Sequence, residues 1–277
     1  MQLIWPWQDR KHGFSWLKAI VFASMFVPGI ALYYWYATGQ FGRLPLAGLT
    51  YWSGVWATWI VLLALAVTPA MAIFRWNRLV MVRRMIGVTA LVYTIVHLLI
   101  YFALRFWDAS SIAYEMVTRL SLILATVSTL GLVALGATSL DEAVRRMGAE
   151  SWQRLHNTVY FFSLLAIIHY LLSPGVYSSQ YTMSGIFLWL MVWRVLNRRG
   201  QGTNPWSLAV LAVAVALFTA FFEAAWTWFY QEFDALETLA NNFTLILGVS
   251  PAWQTLIYGF LIALAAAIRR TPRLKPA

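Results

Sequence analysis

The 277-residue chain is 61% hydrophobic and only 11% charged, whereas soluble domains carry about 25% charged residues. A soluble globule cannot hide that much apolar surface, so lipid is the expected solvent for most of the chain. The absence of cysteine excludes thiolate-held metal centres and disulfides. The net charge of +10 would suggest nucleic acid only if the basic residues shared a soluble surface, and their spacing along the chain denies this.

Residues 1–15, with Trp5, Trp7, Arg10 and Lys11, are polar and basic and are expected to lie along a membrane surface. Apolar stretches of spanning length follow at 16–36, 52–74, 84–106, 118–138, 152–173, 178–197, 206–230 and 251–269. They predict an all-α integral membrane protein of about eight transmembrane helices. The first stretch is too long for the core of a secretion signal and has no small-residue cleavage site after it, so it is expected to be retained. Gly200, Gly202 and Pro205 mark 200–205 as the one clear linker. It divides a six-helix block, 16–199, from a two-helix C-terminal extension, 206–269, with 270–277 as a tail. Sixteen tryptophans and thirteen tyrosines suit aromatic belts at both membrane surfaces; 226–230, which contains Trp226, Trp228 and Tyr230, is expected to be part of the outer one.

All but Arg43, Arg105 and Arg119 of the 20 basic residues fall on alternate connections and on the two ends of the chain. The positive-inside rule then places both termini in the cytoplasm. The connection after the seventh stretch carries Glu232, Asp234 and Glu237 instead, and is expected to face outward.

Three of the four histidines lie in two of these stretches, the third and the fifth, which both run outward. His97 stands 13 residues beyond Arg84 and is expected about 20 Å up from the inner surface. His169 stands 13 residues beyond His156, so His169 belongs to the outer half and His156 to the inner. An imidazole in hydrocarbon must find a hydrogen bond or a metal. Two imidazoles at matched depth on parallel helices are what a six-coordinate b-type haem requires, and without cysteine such a haem is held non-covalently. Two core histidines bonded to backbone or serine are the alternative. His156 has no histidine at its own depth. Arg83, almost four turns below His97 on nearly the same face, is there instead. It is expected either to pair with a haem propionate or to anchor its helix at the membrane surface. A second haem with His156 as one ligand is possible on this reading. His156 and His169 are about 140° apart on an ideal helix, so bending or unwinding between them is expected.

Arg83, Arg84, Met85, Ile86 and Gly87 running to His97 and Tyr101, with Trp152, Gln153, Arg154, Leu155, His156, His169 and Tyr170, resemble the MsrQ family. Thr68 and Pro69, placed at the end of the second stretch, fit as well. The resemblance is good over 50–173 and extends to the six-helix block. It implies a member of the ferric reductase-like transmembrane superfamily, in which histidine pairs on two helices hold stacked haems. It further implies that His97 and His169 carry one haem, that His156 is the remaining ligand of another, and that Arg83 stands where a further histidine would be. By the same resemblance the chain is the haem-binding membrane subunit of a periplasmic methionine sulfoxide repair system in the bacterial inner membrane. Its electrons would come from a cytoplasmic flavin reductase or the quinone pool and leave to a periplasmic molybdopterin-containing reductase. A flavin mononucleotide is a possible further cofactor of the family. The two-helix extension departs from the family's six helices.

No Gly-x-Gly-x-x-Gly follows a strand-like run, and there is no phosphate-binding Gly-x-x-x-x-Gly-Lys-Ser/Thr loop. The chain is therefore expected to be an electron-transfer subunit and not a complete enzyme. Two other functions remain open from the residues alone: a stand-alone ferric or quinone reductase, and a proton-coupled transporter, for which broken helices or inverted repeats would speak. Glu223, well inside a stretch, is either a proton or cofactor contact or an acid bonded to a neighbouring helix. Gly131 and Gly136 allow close helix packing or leave room for a porphyrin. His12 is expected to be interfacial.

Overall fold

The computed structural model describes residues 5–9, 13–173, 175, 178–245 and 248–270. Arg10, Lys11, His12, Pro174, Arg273 and Lys275 lie outside the described residues. Apart from a hairpin of two-residue strands, β1 (Gln8–Asp9) and β2 (Gly13–Phe14), the described structure is helical. The helices are α1 (Trp16–Ser24), α2 (Val27–Ala37), α3 (Pro45–Phe74), α4 (Val80–Leu104), α5 (Ala109–Thr118), α6 (Leu120–Ala137) and α7 (Asp141–Met147). They continue with α8 (Ala149–Asn157), α9 (Val159–Leu171), α10 (Ser178–Arg198), α11 (Pro205–Gln231), α12 (Ala235–Asn242) and α13 (Pro251–Arg270).

Six helical passages are long and apolar enough to cross a membrane: Trp16–Ala37, Pro45–Phe74, Asn77–Leu104, Leu120–Ala137, Pro205–Gln231 and Pro251–Arg269. The other two expected stretches differ for visible reasons. The α8–α9 passage is interrupted at Thr158, between His156 and His169, where the sequence required a change of direction. Helix α10 begins with Ser178, Ser179, Gln180, Thr182 and Ser184, a start too polar for a lipid-facing helix.

The first expected span is not continuous, because Met25 and Phe26 separate α1 from α2. Such a break strands backbone groups that lipid cannot bond. Tyr93 of α4 repairs it with one hydroxyl. Its Oη donates to the Met25 carbonyl at 2.8 Å and accepts from the Gly29 N–H at 2.8 Å. A Cβ at Gly29 would lie 3.2 Å from that oxygen, so the glycine keeps the approach open. Tyr93→Phe leaves both backbone groups without this partner. It should cost on the order of 1–3 kcal/mol, read as a lower melting temperature of the purified protein with unchanged helix content.

Pro69 does not end the second stretch, as the sequence reading had it; α3 runs through it to Phe74. Proline has no N–H to give the carbonyl four residues earlier, which is that of Leu65. Arg194 supplies the missing donor, with Nη2 at 2.9 Å from the Leu65 oxygen and Nη1 at 2.5 Å from the Leu190 oxygen. The sequence counted Arg194 only as a charge near the inner surface.

The chain forms two compact units, Met1–Ala64 with Arg78–Ser173, and Leu65–Asn77 with Pro174–Ala277. In the first, α6 packs on α9, α4 and α5. Phe162 lies where a Cβ of Gly131 would be, and Leu91 does the same at Gly136, so both glycines serve close packing. In the second unit α10, α11 and α13 pack together, with α12 against α11. The turn at 200–205 therefore joins two helices of the same unit, and the packing boundary falls before α10 instead. Trp193, 1% exposed, donates its indole N–H to the Gly202 carbonyl at 2.9 Å and ties this turn down.

Candidate functional site

Within the first unit, α4 brings His97 against the N-terminal part of α3, and α9 brings His169 against the start of α6. His97 Nδ1 lies 2.9 Å from the Thr50 carbonyl and 3.1 Å from Ser53 Oγ. His169 Nδ1 lies 2.8 Å from the Ser121 carbonyl. A carbonyl only accepts, so in each ring Nδ1 carries the proton and Nε2 keeps its lone pair. Neither Nε2 has a hydrogen-bond partner among the described residues. This is the arrangement expected of metal-ligating histidines, whose second nitrogen is fixed by an outer partner. Tyr51 and Tyr170, each next in sequence to a residue of this site, meet hydroxyl to hydroxyl at 3.0 Å.

His156 is held differently. Its ring stacks on Trp152 at 4.0 Å between centroids, and Nε2 lies 3.3 Å from Thr138 Oγ1. The Trp152 indole donates to the Thr138 carbonyl at 2.8 Å, so this threonine at the end of α6 fixes both rings. Arg83 and Arg84 both lie within electrostatic reach of His156. Arg84 is committed to Asp141 at 2.7 Å. Arg83 is exposed and makes no hydrogen bond or ion pair among the described residues, so its planar fork is available to an anionic ligand. No group of three or more His, Asp or Glu side chains forms a self-contained metal site among the described residues.

At the C-terminal end of α4, the Glu115 carboxylate accepts from Tyr101 Oη at 2.6 Å, Arg105 Nη2 at 2.7 Å and Arg119 Nη1 at 3.4 Å. These donors, the tyrosine foremost, hold the Glu115 carboxyl below the usual range. The cluster contributes stability above the ordinary glutamate value of about 4.3. That contribution is lost as pH falls through the lower folded-state value. Melting temperature should therefore drop on acidification below about pH 4, and Glu115→Gln should flatten that limb. An equal acid slope in the variant would remove Glu115 as its source.

Glu223 follows the plainer of its two readings. Its Oε2 accepts from Asn242 Nδ2 of the neighbouring α12 at 2.8 Å. In the expected outer aromatic cluster, Trp226 stacks on Tyr230 at 4.7 Å, while Trp228 and Phe229 are exposed. Asp234 caps α12 through the Leu236 and Glu237 N–H groups.

Residues 53–167 match the family described as ferric reductase like transmembrane component, so fold and sequence together define a ferric reductase-like membrane protein. The matched segment contains His97 and His156 and ends just before His169. Among curated relatives, the protein-methionine-sulfoxide reductase heme-binding subunit MsrQ of Azospira oryzae is 30% identical over 208 residues, covering 72% of this chain and 86% of the relative. The MsrQ of Cronobacter sakazakii is 34% identical over 190 residues, covering 67% and 94%. That of Caulobacter vibrioides is 32% identical over 182 residues, covering 65% and 87%. The chain belongs to the MsrQ family, and is a multi-pass protein of the bacterial inner membrane. No solved structure matches it.

The residues that touch His97 and His169 left no signal in the sequence. Thr50, Ser53 and Ser121 act through backbone carbonyls and a hydroxyl, and neither leaves a spacing signal.

Proposed function

We propose that this protein is a haem-binding membrane subunit of a methionine sulfoxide reductase system, in which His97 and His169 would hold a b-type haem. The pairing of these two rings, each with Nδ1 fixed and Nε2 open, supports the reading most. Haem, when bound, supplies a one-electron carrier whose potential depends on its axial ligands and their outer partners. The Thr50 and Ser121 carbonyls hold the proton at Nδ1 of each ring, which keeps both Nε2 atoms basic and rotationally fixed. Arg83, without a hydrogen-bond or ion-pair partner among the described residues, is suited to a propionate or another anionic group at the inner end. His156 is the candidate ligand of a second, inner haem. A flavin mononucleotide has no assigned residues.

Eight spans with both termini in the cytoplasm follow from the distribution of basic residues. In that orientation the outer pair sits towards the periplasm, as an exit for electrons requires. The donor is a cytoplasmic flavin reductase or quinol, and the acceptor a periplasmic molybdopterin-containing reductase that repairs oxidised methionine.

Inverted vesicles carrying the full chain with haem test this direction. A flavin reductase with its reductant, or a quinol, added on the cytoplasmic face should reduce the haem, and reoxidation should require a methionine sulfoxide reductase enclosed on the other face. Equally fast reoxidation by ferric iron without any protein partner would instead indicate a stand-alone reductase.

A further inference from the structure

The turn 50–54 of α3 meets His97 through three separate features. The Thr50 carbonyl is 2.9 Å and Ser53 Oγ 3.1 Å from Nδ1. Ser53 is fully buried and donates its own proton to the Thr50 carbonyl at 2.9 Å, which leaves its lone pairs facing the imidazole N–H. Gly54 lies under the ring itself: a Cβ there would be 2.9 Å from Cε1, 3.1 Å from Nδ1 and 3.5 Å from Nε2. The first distance is one that side chains do not tolerate, so alanine at this position would force the imidazole to tilt or turn.

We propose that Gly54 and Ser53 are positioning residues for His97, Gly54 setting the plane of its imidazole and Ser53 its donor strength. The inference rests on the haem reading. The contact falls on Cε1, the carbon between the two nitrogens, and so governs where the Nε2 lone pair points. Ser53 adds a second acceptor at Nδ1, whereas among the described residues His169 Nδ1 has the Ser121 carbonyl alone. The two rings are thus unequal donors: sharing the Nδ1 proton between two oxygens raises the basicity of Nε2 in His97. A more basic axial ligand favours the oxidised iron.

The two variants separate the roles. Gly54→Ala replaces glycine inside a helix by a better helix former, so helix content should be kept. The largest g value of the low-spin ferric signal should shift and haem occupancy should fall, as expected of a turned ligand plane. Ser53→Ala adds no atom and cannot clash. It should leave haem content unchanged and move the midpoint potential in the positive direction. A purely structural role for the turn would lower melting temperature without moving either signal.

The experiment is electron paramagnetic resonance and redox titration of the full-length wild type, Gly54→Ala and Ser53→Ala, each purified from haem-supplemented cells. Variants with wild-type g values and wild-type midpoint potential would overturn the inference alone. A wild type that binds no haem would overturn the haem reading and this inference with it.

Discussion

Replacing His97 with alanine should remove the haem held between α4 and α9, and replacing His169 should do the same. One remaining imidazole leaves iron weakly held in a site whose other wall was built to orient a ligand. Haem per chain should fall to no more than the amount retained by any inner site. His156→Ala should leave the outer haem in place, because His156 sits on Trp152 and Thr138 and takes no part in holding His97 or His169. The measurement is haem extracted per mole of purified chain in the three variants. Full haem content in both His97→Ala and His169→Ala would refute the assignment.

The second large effect concerns the extension. Removing residues 203–277 deletes α11, α12 and α13, and α10 packs against α11 and α13. Gln180, Thr182 and Trp193 are each almost fully buried, and Thr182 donates to Gln254 of α13 at 2.9 Å. Stripped of these neighbours, α10 would present polar groups to hydrocarbon at several kcal/mol each. The truncated chain should therefore accumulate at a level several-fold below the full chain, since even 1–2 kcal/mol changes abundance to that extent. Membrane-fraction immunoblots with an N-terminal tag provide the comparison. Equal abundance with retained haem would show the extension to be separable, as the linker at 200–205 suggests.

The parts legible in the sequence are those that depend on length, charge and depth. Apolar runs marked most helical passages to within a few residues. The 13-residue spacings placed His97 with His169 and set His156 beside Arg83, and the angular misfit between His156 and His169 required the interruption found at Thr158. Illegible were the devices that satisfy backbone groups across helices. Nothing near Met25 or Gly29 announces that Tyr93, more than sixty residues away, bonds both. Pro69 looked like a helix end because its missing donor is supplied from Arg194, over a hundred residues later. Gly131 and Gly136 could have bordered a porphyrin or a neighbouring helix, and only Phe162 and Leu91 in place decide between the two. The linker at 200–205 has the composition of a boundary, yet Trp193 fastens it into the unit it was expected to end.

Whether this MsrQ-family chain carries a bis-histidine b-type haem is tested most directly by the dithionite-reduced minus oxidised absorption spectrum of the purified full-length protein. A narrow α band and a shifted Soret band of a low-spin, six-coordinate b-type haem, extractable without covalent residue, are predicted. A wild-type protein purified from haem-sufficient cells that shows neither band would contradict the assignment.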